Sequence, residues 1–487
     1  MKRALLFALV LGGCTHPQGP AAAPAAGAPP AARATPSADF RDHVPEPGPA
    51  DAVRIPAPEV AKLENGLTLY VLRRPARVVS VRVLLRAGSN QDPAGKSGLA
   101  ALTARLASEE TKDHDSTGLA EAIESLGATL SRSTGRQSSE LGLTVLPADV
   151  PRALSLLAEI VERPAFRPKT FERVRSEWLD GLTADRQRVE RLSTLAGFRL
   201  LLGPRLGAPT DGSLDDVKKL TITDLRRFHD GHVTPAQAAV ILVGDLDLSR
   251  ARKAVDGAFG AWRARQAEAS APPAPPPAPE STQIVLVDRP GAVQSALFVA
   301  QPFPRLGQPG LEARELLSGA MGGLFTSRIN KNLREEHAYT YGARSTVVES
   351  REFGAFIVST SVQRDVTAPA LSELLKELRA APSDRPITLD ELARARADRV
   401  SRLGAHLEHV DRMANDLSEL FEEGLPDDWF QKRPEDIAAV TLSDIRSEAK
   451  RLDVAHLVVV VVGDAAAVRP ALEKQFTVVS AAADLTK

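Results

Sequence analysis

Imidazole is the commonest metal ligand and titrates near neutral pH, so the nine histidines are the first place to look for chemistry. Two pairs are close in sequence. His229 and His232 in FHDGHV are expected to serve the fold. His406 and His409 in HLEH are also three apart and can share a helix face, but no third ligand accompanies them. A solvated helix face accounts for that pair. His114 has no partner at helical spacing. Nucleophilic chemistry finds no G-x-S-x-G elbow and no reactive cysteine downstream of Cys14, the single cysteine of the chain. The charged run Asp185–Arg191 is expected to be another solvated helix face.

The elements that would position such groups fall into two series. In the first, VAKLENGLTLYVL alternates around Asn65-Gly66, a two-residue hairpin signal. A strand is expected at Val78–Arg86 and an amphipathic helix at Ser97–Glu109. Ser116 caps a helix that stops at Gly127, strands follow at 128–134 and 137–145, and helices at Asp149–Glu162 and Lys169–Leu201. The second series repeats the order, with strands at 283–288 and 294–301, helices at 309–321 and 326–335, strands at 341–349 and 353–361, then helices from Val366 and Leu389. LTITDLRRFHDGHV (220–233) is echoed by VTLSDIRSEAKRLD (440–453), with Asp224 and Asp444 220 residues apart. Each is followed by an apolar strand ending Val-Gly-Asp, AAVILVGD and HLVVVVVGD, whose glycines are 219 apart. Two segments at nearly one spacing indicate duplication. Strand runs followed by helix runs predict an α+β fold, in which each half is a mostly antiparallel sheet covered by helices.

Between the series lies APPAPPPAPE (271–280), with six prolines in ten residues, a semi-rigid spacer separating halves at 52–266 and 281–480. Upstream, Lys2 and Arg3 precede the apolar run Ala4–Leu11, too short to span a bilayer, and Leu11-Gly12-Gly13-Cys14 follows. That ending resembles a bacterial lipobox, which implies lipidation of Cys14, an anchor in the cell envelope, and (with Thr15 next) the outer membrane facing the periplasm. Residues 15–51, rich in Ala and Pro, are expected to be a tether. A net charge of -1, with 43% hydrophobic and 25% charged residues, gives no basic field for nucleic acid.

The stretch VVSVRVLLRAGSNQDPAGKSGLAALTARL (78–106) resembles the N-terminal signature of the insulinase/pitrilysin zinc peptidases, in which a strand and a Gly-containing loop lead into a helix beginning G-L-A-H-x-x-E-H. Laid over that pattern, the first metal His falls on Ala101, the base Glu on Ala104 and the second His on Arg105, none of which can do the work. Glu177 in ERVRSEWLDGL sits about where the family places its third ligand, with Asp180 as the competing register; without the two His it is an orphan, expected to be a surface or capping carboxylate. MGGLFTSRINKNLREEHAYTYG (321–342) resembles the family's C-terminal signature. The resemblance implies that Arg334 and Tyr341 hold the substrate backbone and help stabilise the tetrahedral intermediate, roles that suit a guanidinium and a phenol. The alternative is that Arg334 pairs with Glu335, Glu336 or a neighbour and Tyr341 merely starts a strand. The family has two homologous α+β halves facing each other across a chamber. Some bacterial members work as pairs in which one chain carries the metal motif and the other the Arg/Tyr pair. The resemblance therefore implies a non-catalytic subunit with no metal or cofactor of its own, forming a heterodimer with a zinc-bearing homologue around a peptide substrate. A structural or peptide-binding envelope lipoprotein is the competing expectation.

Overall fold

A computed structural model describes residues 53–263, 274–482 and 485–486. Cys14, the tether and residues 264–273, which include the first three residues of the Pro-rich spacer, lie outside the described residues.

The first half runs β1 (Glu59–Lys62), β2 (Thr68–Arg73), β3 (Val79–Leu85), α1 (Leu99–Ala107), α2 (Ser116–Glu124), β4 (Ser131–Thr134), β5 (Ser139–Val145), α3 (Val150–Glu162), α4 (Pro168–Asp185), α5 (Val189–Leu206), α6 (Leu214–Lys219), α7 (Ile222–His232), β6 (Ala238–Gly244) and α8 (Leu248–Phe259). The second half runs β7 (Gln283–Asp288), β8 (Gln294–Phe303), α9 (Leu311–Ser318), β9 (Ala343–Glu349), β10 (Gly354–Gln363), α10 (Thr367–Ala380), α11 (Leu389–His406), α12 (Val410–Glu423), α13 (Trp429–Ala439), α14 (Leu442–Ala449), β11 (Val458–Gly463), α15 (Ala465–Leu472) and β12 (Val478–Ser480).

Each half builds one six-stranded mixed sheet, in the orders β1-β2-β6-β3-β5-β4 and β12-β7-β11-β8-β10-β9. Five strands correspond one to one. β6 and β11 occupy the same place, parallel to β2 or β7 on one side and antiparallel to β3 or β8 on the other. Every residue of both is buried, which is why they read as unbroken apolar runs. Asp224 and Asp444 match because each closes a reciprocal capping box with a threonine, Thr221 and Thr441, at the start of α7 and α14.

One face of each sheet packs on helices of its own half: α1, α3, α7 and α8 in the first, α9, α10, α11 and α14 in the second. The other face receives a helix from the opposite half. α5 lays Leu192, Ala196, Leu202 and Leu206 on Phe298, Ala300 and Val460 of the second sheet. α12 returns the exchange, placing Met413, Leu417, Leu420 and Phe421 on Tyr70, Leu84, Ile241 and Val243 of the first. Both crossings start with an acid that hydrogen-bonds the foreign sheet. Glu190 accepts from Ser361 Oγ at 2.8 Å, and Asp411 accepts from Ser80 Oγ and Thr144 Oγ1, each at 2.7 Å. The carboxylates complement the helix N-termini while fixing where each helix lands.

Several local expectations are corrected. The first hairpin loop has three residues, Glu64 to Gly66. Gly66 N–H bonds the Leu63 carbonyl and its φ of 93° carries the chain through the left-handed region. Asp115, not Ser116, caps α2, accepting from Gly118 N–H. The expected single helix at 169–201 is two, α4 and α5, and the Asp185–Arg191 charge run is the corner between them. There Arg191 binds both oxygens of Asp211 at 2.6 Å. The predicted helices at 309–321 and 326–335 each end in a π-helical turn, Gly319–Gly323 and Lys331–Glu336.

Candidate functional site

The strand–loop–helix that resembles a metal-binding signature folds as expected. Gly98 starts α1 at φ 88°, where an added Cβ would lie 2.8 Å from the Asp211 carbonyl, so glycine is required. Buried Asp92 accepts from the Gly98 and Ala100 N–H groups, both at 2.8 Å, and burial pushes its carboxyl up to about 7 against those bonds. The scaffold is intact; the donors are missing. Ala101 is buried, Ala104 offers a methyl group, and Arg105 presents a guanidinium.

Arg105 pairs with Glu109 at 2.7 Å, Glu109 with Arg173 at 2.5 Å, and Arg173 with Glu177 at 2.8 Å. An ion-pair ladder therefore links α1 to α4. Arg105 and Glu177 line one cleft of about 460 Å³, floored by Val174, Trp178 and Leu182, while Asp180 does not line it. That placement supports the Glu177 register. Alanine and a cation cannot hold zinc, so the residues present do not fit a metal, and among the described residues no cluster of three His, Cys, Asp or Glu could hold one.

Among the described residues, the histidines singled out above are held by fold contacts. His114 Nδ1 lies 2.8 Å from Glu159 Oε1, and His229 Nε2 is 2.8 Å from the Val161 carbonyl. The HLEH segment is not a helix face. α11 ends at His406, whose Nδ1 is 3.0 Å from Asp416, and His409 takes the N-cap position of α12 with extended backbone and no side-chain capping bond.

In the second half, residues 319–342 form an irregular projection between α9 and β9. Two π-helical turns bracket the single α-turn Arg328–Asn330, and Ala338 adopts φ 54°, a concentration of costly backbone typical of working sites. Gly322 is required where an added Cβ would meet Ser345 N at 2.9 Å. Arg328 is buried, grips Glu391 through Nε and Nη2 at 2.5 and 2.7 Å, and pins the projection to α11. Asn332 does the same for α10 through Glu373 and Glu377, at 2.9 and 3.0 Å.

Arg334 has no hydrogen bond or ion pair among the described residues, although Glu335 and Glu336 are its neighbours. Its Cζ sits 3.7 Å above the Phe325 ring centroid, and its Nη1 is buried without a partner. Tyr341 is 93% exposed and Phe325 64%. Of the alternative pairings, those with Glu335 or Glu336 are thus absent among the described residues while the neighbour Phe325 takes the guanidinium face, and Tyr341 precedes β9 rather than starting it. Neither Arg334 nor Tyr341 lines the Arg105 cleft. Phe325 and Asn330 escaped the sequence reading, although both lie inside the quoted motif; a large apolar residue and an amide there give no periodic signal.

Two family models match the chain. Insulinase (peptidase family M16) matches residues 68–200, and the peptidase M16 inactive domain matches residues 219–398. An uncharacterized zinc protease of Mycobacterium tuberculosis is 26% identical over 318 residues, covering 65% of this chain and 72% of that protein. The non-peptidase homolog YmxG of Helicobacter pylori is 22% identical over 375 residues, covering 76% and 85%. The crystal structure of a peptidase M16 inactive domain from Pseudomonas fluorescens superposes with a TM-score of 0.77 at 23% identity, covering 83% of this chain and 98% of that one, a likeness of fold. With its H-x-x-E-H positions occupied by Ala101, Ala104 and Arg105, the chain belongs to the M16 insulinase family as an inactive peptidase homologue.

Proposed function

We propose that this chain is the non-catalytic subunit of a bacterial envelope zinc peptidase. It pairs with a homologue bearing an intact H-x-x-E-H helix and presents Arg334 and Tyr341 to the peptide held between them. The observation that carries this reading is the unpaired, ring-backed Arg334 guanidinium, on a strained projection that also bears a nearly fully exposed tyrosine. Water activation would belong to the partner's metal. Arg334 would bind a peptide carbonyl through its directed N–H groups, and the Tyr341 phenol would donate to the oxyanion as it forms. Lipidation at Cys14, followed by the tether, would hold the complex at the envelope, in the outer membrane facing the periplasm.

The test is co-purification from the native host followed by peptidase assay. The chain alone is expected to cleave nothing, whereas the pair cleaves peptides in a metal-dependent way. Arg334→Ala in the pair is expected to lower kcat by about 10²–10³, the usual cost of one oxyanion or carbonyl donor. Unchanged turnover in that variant sinks the clamp and leaves a structural or peptide-binding lipoprotein. Cys14→Ser is expected to move the protein from the membrane to the soluble fraction, and membrane retention would refute the anchor.

A further inference from the structure

One buried side chain ties the projection together. Asn330, 6% exposed, donates from Nδ2 to the carbonyls of Leu324 and Ala343, each at 2.9 Å, and to Ser327 Oγ at 3.2 Å. Its Oδ1 accepts from the Ala343 N–H at 2.7 Å. A single amide therefore fastens both arms of the projection: the arm that leads directly into Phe325 and the arm that leaves Tyr341 two residues earlier. Donor and acceptor are both used, so the amide orientation is set by its partners.

Phe325 is the other part. A guanidinium stacked on an aromatic ring uses its face for that contact and keeps its N–H edge free for oxygen ligands. A carboxylate partner would consume that edge. Arg334 has the ring and lacks the carboxylate, even with two glutamates following it in sequence.

We propose that Asn330 and Phe325 are positioning residues. Asn330 latches the arms that bear Phe325 and Tyr341, and Phe325 holds the Arg334 guanidinium by its face, leaving the N–H edge without a protein partner for a peptide carbonyl or carboxylate to take up. The inference rests on the clamping reading above for its ligand, but the positioning itself can be measured without one.

The experiment uses the full chain labelled with ¹³C and ¹⁵N at arginine, with the Arg334 side-chain signal assigned from Arg334→Lys. A guanidinium over a ring centroid carries an upfield ring-current shift. Phe325→Leu is expected to abolish it without lowering Tm, because Phe325 is largely exposed, and Phe325→Tyr is expected to keep it. Asn330→Asp retains the acceptor for Ala343 N–H and loses the Nδ2 donors, so the folded protein should show a reduced shift; Asn330→Ala serves only if it folds. A full shift in Phe325→Leu or in Asn330→Asp overturns the corresponding half of the proposal.

The second arm measures anisotropy of short, extended, fluorescein-labelled peptides bound to the chain. Phe325→Leu is expected to weaken binding about two- to fivefold, the usual effect of an exposed cation–π contact. It should have no effect in the Arg334→Ala background, and equal losses in both backgrounds overturn positioning. If the unmodified chain binds no peptide, the clamping reading fails while the ring-current result still decides this one.

Discussion

Gly197 offers the most direct test of the helix exchange. It lies in α5, and an added Cβ would sit 2.3 Å from Cδ1 and 2.4 Å from Cε1 of Phe298 on β8 in the opposite half. Alanine in an isolated helix interior would gain about 1 kcal/mol over glycine. Here the methyl group must displace a ring that is 2% exposed and tilted against Phe198 at 5.7 Å, so it has no room to retreat. Overpacking of this kind costs about 1–3 kcal/mol, and a full ångström of forced movement puts it at the upper end. We therefore predict that Gly197→Ala destabilises by about 2 kcal/mol. In a Phe298→Leu background, with the ring gone, the same change should be neutral or stabilising. The resulting coupling is about 2–3 kcal/mol, far above the roughly 0.5 kcal/mol scatter of independent sites. Equilibrium urea unfolding of the four proteins, followed by tryptophan fluorescence, measures the cycle. Additive effects, or a stabilising Gly197→Ala in the native background, would refute the seating of α5 on the second sheet.

Other expectations follow from the same geometry. Trp178 and Trp262 report the first half and Trp429 the second, so single-tryptophan variants should unfold at coincident midpoints if the exchanged helices make one cooperative unit, and separated midpoints would contradict this. Arg314 is fully buried, chelates Glu349 at 2.6 and 3.1 Å and bonds the Gln308 and Pro309 carbonyls; Arg314→Ala should cost about 3–5 kcal/mol by calorimetry, because Glu349 is left charged and unpaired. Burial raises Glu423, which accepts from Gln137 across the two halves, from 4.5 to about 7, with Glu422 and Glu352 reinforcing the shift. The folded state therefore holds a proton that the unfolded chain has lost, and stability should fall as pH rises from about 4.5 to 7, by about 1–2 kcal/mol after allowance for partial exposure. Glu423→Gln should flatten that part of the Tm profile, and an unaltered profile would count against it. Finally, zinc or a chelator should leave Tm unchanged, and a Tm that climbs with zinc concentration would reveal a site on the folded chain.

Much of the fold was legible because its signals are local and periodic. The apolar runs of β6 and β11 announce strands covered on both faces, and the T-x-x-D capping boxes announce the start of α7 and α14. The lost metal site was legible residue by residue, since alanine at positions 101 and 104 admits no reinterpretation. The exchange of α5 and α12 was not. An amphipathic stripe such as Leu192, Ala196 and Leu206 says that a face is buried, not which sheet buries it. The break between α4 and α5 was hidden by a charged corner without proline or glycine, where Arg191 bridges Asp185 and Asp211. Pairing choices also escaped: nothing in LREEH indicates that Arg334 would prefer an aromatic ring to its glutamate neighbours.

The two sheet edges carry a record of descent. The five corresponding strands agree in order and direction, but the sixth does not. The first sheet is closed by β1, which precedes β2 and runs antiparallel to it, and the second by β12, which comes from the far end of the chain and runs parallel to β7. A copied six-stranded unit would have reproduced its own border. The ancestral repeat is therefore best reconstructed as five strands, and each copy recruited a different segment to cover the same one of its two edges, the β2 or β7 side. Unpaired edges invite pairing between chains, so that recruitment would have been favoured independently in each half. β1 and β12 are then later additions, and they should tolerate replacement by unrelated edge strands more readily than any strand they protect.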